Sequence, residues 1–278
     1  MGAAIGAACS GEGAARSGAD ASVPSRQAVS AADSSAPSAS TAALRALESL
    51  AQSSGGADGR SYATRTVPTG TLAGTVLSGR RAPDDTSVTP THDRLACQPF
   101  TEPTFVSRGS ANGIGNAVVW LTGVAAGRGN DLPRRSTLTM RGCRLEPRVQ
   151  RMAAGGTLIV SSQDAVMARL RFSDMGPADS VRALVSTNDA GQVVPVSDAT
   201  RSAGLVAIRD DHHPWVRGYV AVAQHPFVVI SEADGRFAMD GVPAGTYTLV
   251  VWHERFGTTT RKVTVGEGKE AVVELVLR

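Results

Sequence analysis

The chain has 278 residues, an apolar fraction of 42% and a formal charge of +3. That length allows one or two domains with a sizeable core, and the absence of any run of about 18 apolar residues excludes a membrane-spanning helix. The positive charge is almost all arginine, with lysine only at Lys262 and Lys269, and it forms no basic run or aromatic-interleaved patch, which argues against nucleic-acid binding.

Residues 1–68 are mostly Ala, Ser and Gly with scattered charge. Such a composition buries too little apolar area to offset its ordering entropy, so a disordered tether is expected. Within it, Leu44, Leu47 and Leu50 recur at helical spacing and predict one short helix over residues 41–52. Ile5-Gly6-Ala7-Ala8-Cys9-Ser10 resembles the end of a bacterial lipoprotein signal, which implies lipidation at Cys9. Only eight residues precede Cys9, with no basic or full apolar region, so this reading needs a start codon placed too late. The alternative is a tail that carries one cysteine.

From Gly70 onward the pattern is strand-like. Short β-branched runs are expected at 71–77, 117–121, 157–160, 166–172, 205–208, 219–222, 227–230, 236–239, 246–252, 262–265 and 271–277. Gly, Pro, Asp and Asn turns separate them, and no helical period appears after residue 60, so a β-sandwich arrangement is predicted. Cys97 and Cys143 both fall in this part and no C-x-x-C pair exists, which excludes a zinc ribbon. The two are either a disulfide, worth about 4 kcal/mol on the chain-entropy model, or two buried thiols. The exported look of the chain favours the disulfide.

Asp234-Gly235, Phe237 and Val242-Pro243-Ala244-Gly245 with Tyr247 together resemble the carboxypeptidase regulatory-like domain, a transthyretin-like sandwich. The resemblance implies that residues near 72–76 and 117–121 supply its opening strands, so the domain is expected over residues 69–130 and 225–278 with something inserted. The inserted residues, 131–224, resemble a cupredoxin. Residues 142–149 look like its first strand, residues 156–164 like the strand entering its first ligand loop, and residues 208–220 like its second. The fold class expected is therefore all-β, with two sandwiches, the inserted one a cupredoxin-like Greek key.

A blue-copper centre takes two imidazoles, one thiolate and a weak axial thioether. The resemblance places the family cysteine at Asp210, the second histidine at His213, the axial methionine at Val216, the first histidine at Ala168 and the Asn-Ser-Asp at Ser162-Gln163-Asp164. Only His213 survives, so a vacated copper site is expected and no cofactor. Asp210, Asp211 and His213 remain as candidate metal ligands, copper included, if His92, His225 or His253 completes the set. The structural alternative is a loop in which His213 is hydrogen-bonded and Trp215 fills the sandwich end.

Trp252-His253-Glu254 offers acid–base groups, but consecutive strand residues diverge, and no G-x-S-x-G, P-loop or catalytic Cys/His pattern is present. The chain is thus read as a non-catalytic exported module of the cell envelope, periplasmic or outer-membrane/extracellular, touching membrane only through a lipid anchor. Its expected partner is an envelope protein or a glycan. Two features bear on that partner. Trp120, Trp215 and Trp252 are the tryptophans that would stack on sugars, and each reads as core. Arg144, Arg148, Arg151, Arg169, Arg171, Arg209 and Arg217 fall in the cupredoxin-like part, either lining a pocket for an anion or forming a solvated surface.

Overall fold

The computed structural model describes residues 62–80, 84–107, 112–175 and 179–278. The expected lipidated Cys9, the helix over 41–52 and nearly all of the tether lie outside the described residues. The protein is all-β and forms two sandwiches. Among the described residues twenty strands, β1 to β20, follow in chain order.

The first sandwich pairs a four-stranded sheet with a three-stranded one. The four-stranded sheet runs β16 (Val228–Ile230), β5 (Val118–Thr122), β18 (Gly245–His253), β19 (Gly257–Val265). The three-stranded sheet runs β17 (Arg236–Pro243), β2 (Thr69–Ser78), β20 (Glu270–Leu277). Leu72, Val76, Ile114, Phe227, Phe237 and Leu275 lie in the core between them. The turn at Asp234-Gly235 needs its glycine. Gly235 has φ +86°, and a Cβ there would stand 2.3 Å from the Val76 carbonyl oxygen. Tyr247 folds back over Gly245 and donates its hydroxyl to the Pro243 carbonyl at 2.9 Å, which gives the V-P-A-G-x-Y pattern its physical sense.

The second sandwich is built from residues 135–223. One sheet runs β13 (Val193–Val196), β10 (Thr157–Ser162), β7 (Arg135–Met140), β8 (Leu145–Glu146). The other runs β12 (Val181–Thr187), β11 (Ala168–Asp174), β14 (Gly204–Asp210), β15 (Arg217–Ala223), β9 (Val149–Ala153). Leu138, Met140, Leu158, Leu170, Phe172 and Ile208 are among the side chains between the sheets. The single strand expected over 142–149 is interrupted: a turn at 142–144 leads into the two-residue β8, and residues 147–148 separate that from β9. Cys143 takes φ +55° and the Glu146–Pro147 peptide is cis, with strands on either side at β7 and β9.

The two sandwiches stack through a third apolar layer. Val118 and Trp120 of β5 and Val250 and Trp252 of β18 meet Leu205 and Ala207 of β14 and Tyr219 and Ala221 of β15. Side chains alternate between faces along a strand. Val119, Leu121, Leu249 and Val251 therefore fill the first core, while Val206, Ile208, Val220 and Val222 fill the second. This is why the runs 117–121, 205–208 and 219–222 are apolar without alternation: they are buried on both faces. Each large side chain so buried contributes about 1.5–3 kcal/mol.

Residues 84–107 leave the first sandwich after β2 and cross onto the second. They carry a small hairpin, β3 (Thr86–Val88) with β4 (Phe100–Glu102). The expected disulfide is formed: Cys97 is bonded to Cys143, closing a separation of 46 residues. The described residues before 69 also carry a strand. β1 (Ala63–Thr64) pairs in parallel with β6 (Ala126–Gly127). Tyr62 donates to the Arg128 carbonyl and lies edge-on to Phe227. One aromatic ring supplies the apolar area that the rest of that segment lacks.

Candidate functional site

The loop joining β14 to β15 carries the sequence-predicted ligands. It is closed by a turn over His213-Pro214-Trp215-Val216, in which the Val216 N–H donates to the His213 carbonyl at 2.8 Å. Pro214 stands at the second turn position, where its fixed φ is favourable. The Asp210 N–H donates to the Val216 carbonyl at 3.3 Å and shuts the loop at its base.

His213 is fully buried, with a carboxylate on each side of the ring. Nδ1 is 2.5 Å from Asp210 Oδ2, and Nε2 is 2.9 Å from Asp93 Oδ2. The hydrogen bond to Asp210 raises its pKa, opposed by burial and helped by Asp93. Only an imidazolium can donate to both carboxylates at once. Asp210 is itself buried, and its Oδ1 accepts the N–H groups of Arg169 at 2.8 Å and His212 at 3.1 Å. The Trp215 ring lies 5.3 Å from the His213 ring, centroid to centroid.

The proposed ligand set therefore does not come together. Asp210 and His213 face one another as hydrogen-bond partners. Asp211 turns outward to Arg171, at 3.1 and 3.2 Å, whose guanidinium holds its carboxyl below the usual range. The sharing of a face by Asp211 and His213 fails because Arg171 captures the carboxylate. No third imidazole converges either. His92 contacts Thr91, His225 packs on Tyr62 and Phe227, and His253 on Phe105 and Phe256. Ala168 and Val216 supply no donor, both cysteines of the folded part are in the disulfide, and the remaining imidazole has both nitrogens engaged. These residues do not fit a copper site. Among the described residues no group of three His, Cys, Asp or Glu is arranged to hold a metal ion.

Sequence reasoning missed two partners of this loop. Asp93 lies 120 positions from His213 and reaches it because the Cys97–Cys143 bond pins the 84–107 segment. The second is an ion-pair network at the seam of the sandwiches. Arg148 meets Glu102 at 2.8 Å and Glu254 at 2.7 Å, and Glu102 also accepts from Arg217 at 2.9 Å. Burial disfavours the Arg148 cation, yet Glu254 and Glu102 outweigh it and its pKa is raised. Glu254 is thus an anchor for Arg148. No spacing rule brings residues 102, 148 and 254 together.

Two further imidazoles are buried without charge partners. His225 and His253 are both held neutral by burial, with pKa values pushed down to about 4. In each, Nδ1 accepts a backbone N–H, from Phe227 or Arg255, and Nε2 has no hydrogen-bond partner among the described residues. A cavity of about 470 Å3 opens beside Phe105, whose φ of +59° is unusual for a bulky residue. Thr104, Ser107 and Asn116 line it, and the Asp85 carboxylate there accepts the Thr104 N–H.

Trp120 and Trp252 are buried between the sandwiches and Trp215 against His213, so none forms an exposed stacking platform.

Residues 206–278 match the family model of the carboxypeptidase regulatory-like domain. The match contains the Asp234-Gly235 and Val242–Tyr247 motifs expected to carry it, and it opens inside β14 rather than at residue 225. The neighbours among solved structures are cupredoxins. An amicyanin variant in its reduced Cu(I) form is 17% identical over 32% of this chain and 81% of its own, with a TM-score of 0.26. A purple cupredoxin from Nitrosopumilus maritimus is 16% identical over 32% and 99%, with a TM-score of 0.27. A copper-containing nitrite reductase from Thermus scotoductus is 16% identical over 42% and 25%, also at 0.27. No curated protein matches the chain. The architecture stated above rests on the strand order of this molecule.

Proposed function

We propose that this protein is a non-catalytic exported module of the cell envelope that binds a protein or a glycan, and that its 208–220 loop is a copper loop converted to scaffold. The observation that carries the reading is the closure of both nitrogens of His213 by Asp210 and Asp93. A ligand imidazole must offer a lone pair, and an imidazolium has none. The disulfide supports a compartment that is oxidising, and the stacked sandwiches make a rigid body whose outer faces are available to a partner. The test is metal content and absorption of the whole chain prepared in copper and then in zinc, followed by binding to arrayed envelope glycans. The expected result is metal-free protein whose melting temperature ignores both metals. Near-stoichiometric copper, lost on His213→Gln, would restore an electron-transfer reading.

A further inference from the structure

The outer face of the β12–β11–β14–β15–β9 sheet changes character along its length. One half, with Leu205, Ala207, Tyr219 and Ala221, is covered by the first sandwich. The other half carries arginines in cross-strand register. Arg171 of β11 pairs with Arg209 of β14, which pairs with Arg217 of β15, and Arg169 lies two residues along β11 on the same face. Paired residues of neighbouring strands project from the same face, and like charges placed opposite each other are destabilising. Carboxylates relieve the two ends only. Asp211 serves Arg171 and Arg169, Asp179 also acts on Arg171, and Glu102 serves Arg217 while shared with Arg148. The Arg209 side chain, exposed in the middle, has no hydrogen bond or ion pair among the described residues.

We propose that this arginine row binds an acidic polysaccharide, with Arg209 holding a uronate carboxylate. The inference rests on the binding-module reading above and names its ligand class. A guanidinium takes a carboxylate through two parallel hydrogen bonds. Adjacent strands lie about 4.8 Å apart, a step comparable to one monosaccharide of an extended chain, so the row suits a polymer with one acidic group per sugar. Leu184, half exposed and in register beside Arg171, offers an apolar contact for the C–H face of a sugar ring. With no exposed tryptophan platform, charge is the recognition chemistry left on this face.

The experiment measures binding of the whole chain to polygalacturonate, dextran, poly-glutamate and inorganic phosphate by calorimetry at low and moderate salt. Polygalacturonate should bind, weaken with salt, and lose about tenfold in affinity with Arg209→Glu, the equivalent of about 1.4 kcal/mol. Arg201→Glu, on the remote exposed turn before β14, should leave affinity unchanged. Arg209→Gln should raise the melting temperature by relieving repulsion, which shows that the variants fold. Equal affinity in Arg209→Glu, stronger binding of poly-glutamate, or phosphate binding with no preference for the polymer would each overturn the proposal. Binding to neutral glycans untouched by Arg209→Glu would sink this inference and leave the broader module reading standing, and no binding to any arrayed glycan or envelope protein would sink both.

Discussion

Three buried histidines set opposite pH responses. His225 and His253 titrate near 4 when folded because burial removes the water that would stabilise their charge, whereas an unfolded histidine titrates near 6.5. A lowered folded pKa means that the unfolded state takes up protons first as pH falls. Their contribution is therefore complete above about pH 6.5 and is lost towards pH 4, by about 3 kcal/mol each. His213 runs the other way. Its pKa is raised, so its contribution is complete below the unfolded value and fades as pH rises through the folded one. Urea midpoints from pH 4 to 8 should show a steep acid limb that His225→Leu halves. His213→Ala should cost about 3–5 kcal/mol, because it strands the buried Asp210 carboxylate without a cation, and a loss below about 1 kcal/mol would show that the Asp210–His213 pair does not hold the loop.

The 84–107 segment has little core of its own and is held by side-chain anchors. Cys97–Cys143, Asp93–His213 and Glu102–Arg217 each fasten it to the second sandwich. Replacing both cysteines by serine should cost about 4 kcal/mol for a closed loop of this length, read as the drop in unfolding free energy, and should expose Arg94 to trypsin before global unfolding. The same segment shows where sequence reading reaches its limit. β5, β14, β15 and β18 are legible as apolar runs, and β2 and β20 as β-branched strands that alternate buried and more exposed residues. β3, β4 and β7 are short or polar strands stabilised by neighbours, and β13 contains Pro195, which sits on a sheet edge as proline must. The doubly buried runs are legible as strands, but an apolar run without alternation does not say which body covers its second face, and here that is the other sandwich. The candidate site divides in the same way. Asp210 beside His213 is a local relation and was readable, whereas Asp93 arrives through tertiary folding alone.

At the scale of the molecule, the seam makes two sandwiches behave as one. Trp120, Trp252 and Tyr219 fill it, and Arg148 ties Glu102 to Glu254 across it. A single calorimetric transition is expected, and two separated transitions would show the seam to be weaker than its burial suggests. Arg148→Met should cost about 3–5 kcal/mol by leaving the Glu254 carboxylate without its cation, Glu102 keeping only Arg217. The register also imposes an order in time. β2 pairs antiparallel with β17, Thr75 against Arg236, and in parallel with β20, Thr71 against Glu270, so the first long strand of the folded part has no partner in its sheet until residues beyond 235 have been synthesised. The second sandwich, complete by residue 223, can close while the first still waits. Long-range pairing of this kind is slow. Refolding should show an early phase reporting on the 135–223 core and a late one reporting on Trp252, with β2, unpaired until then, the strand most open to misassociation.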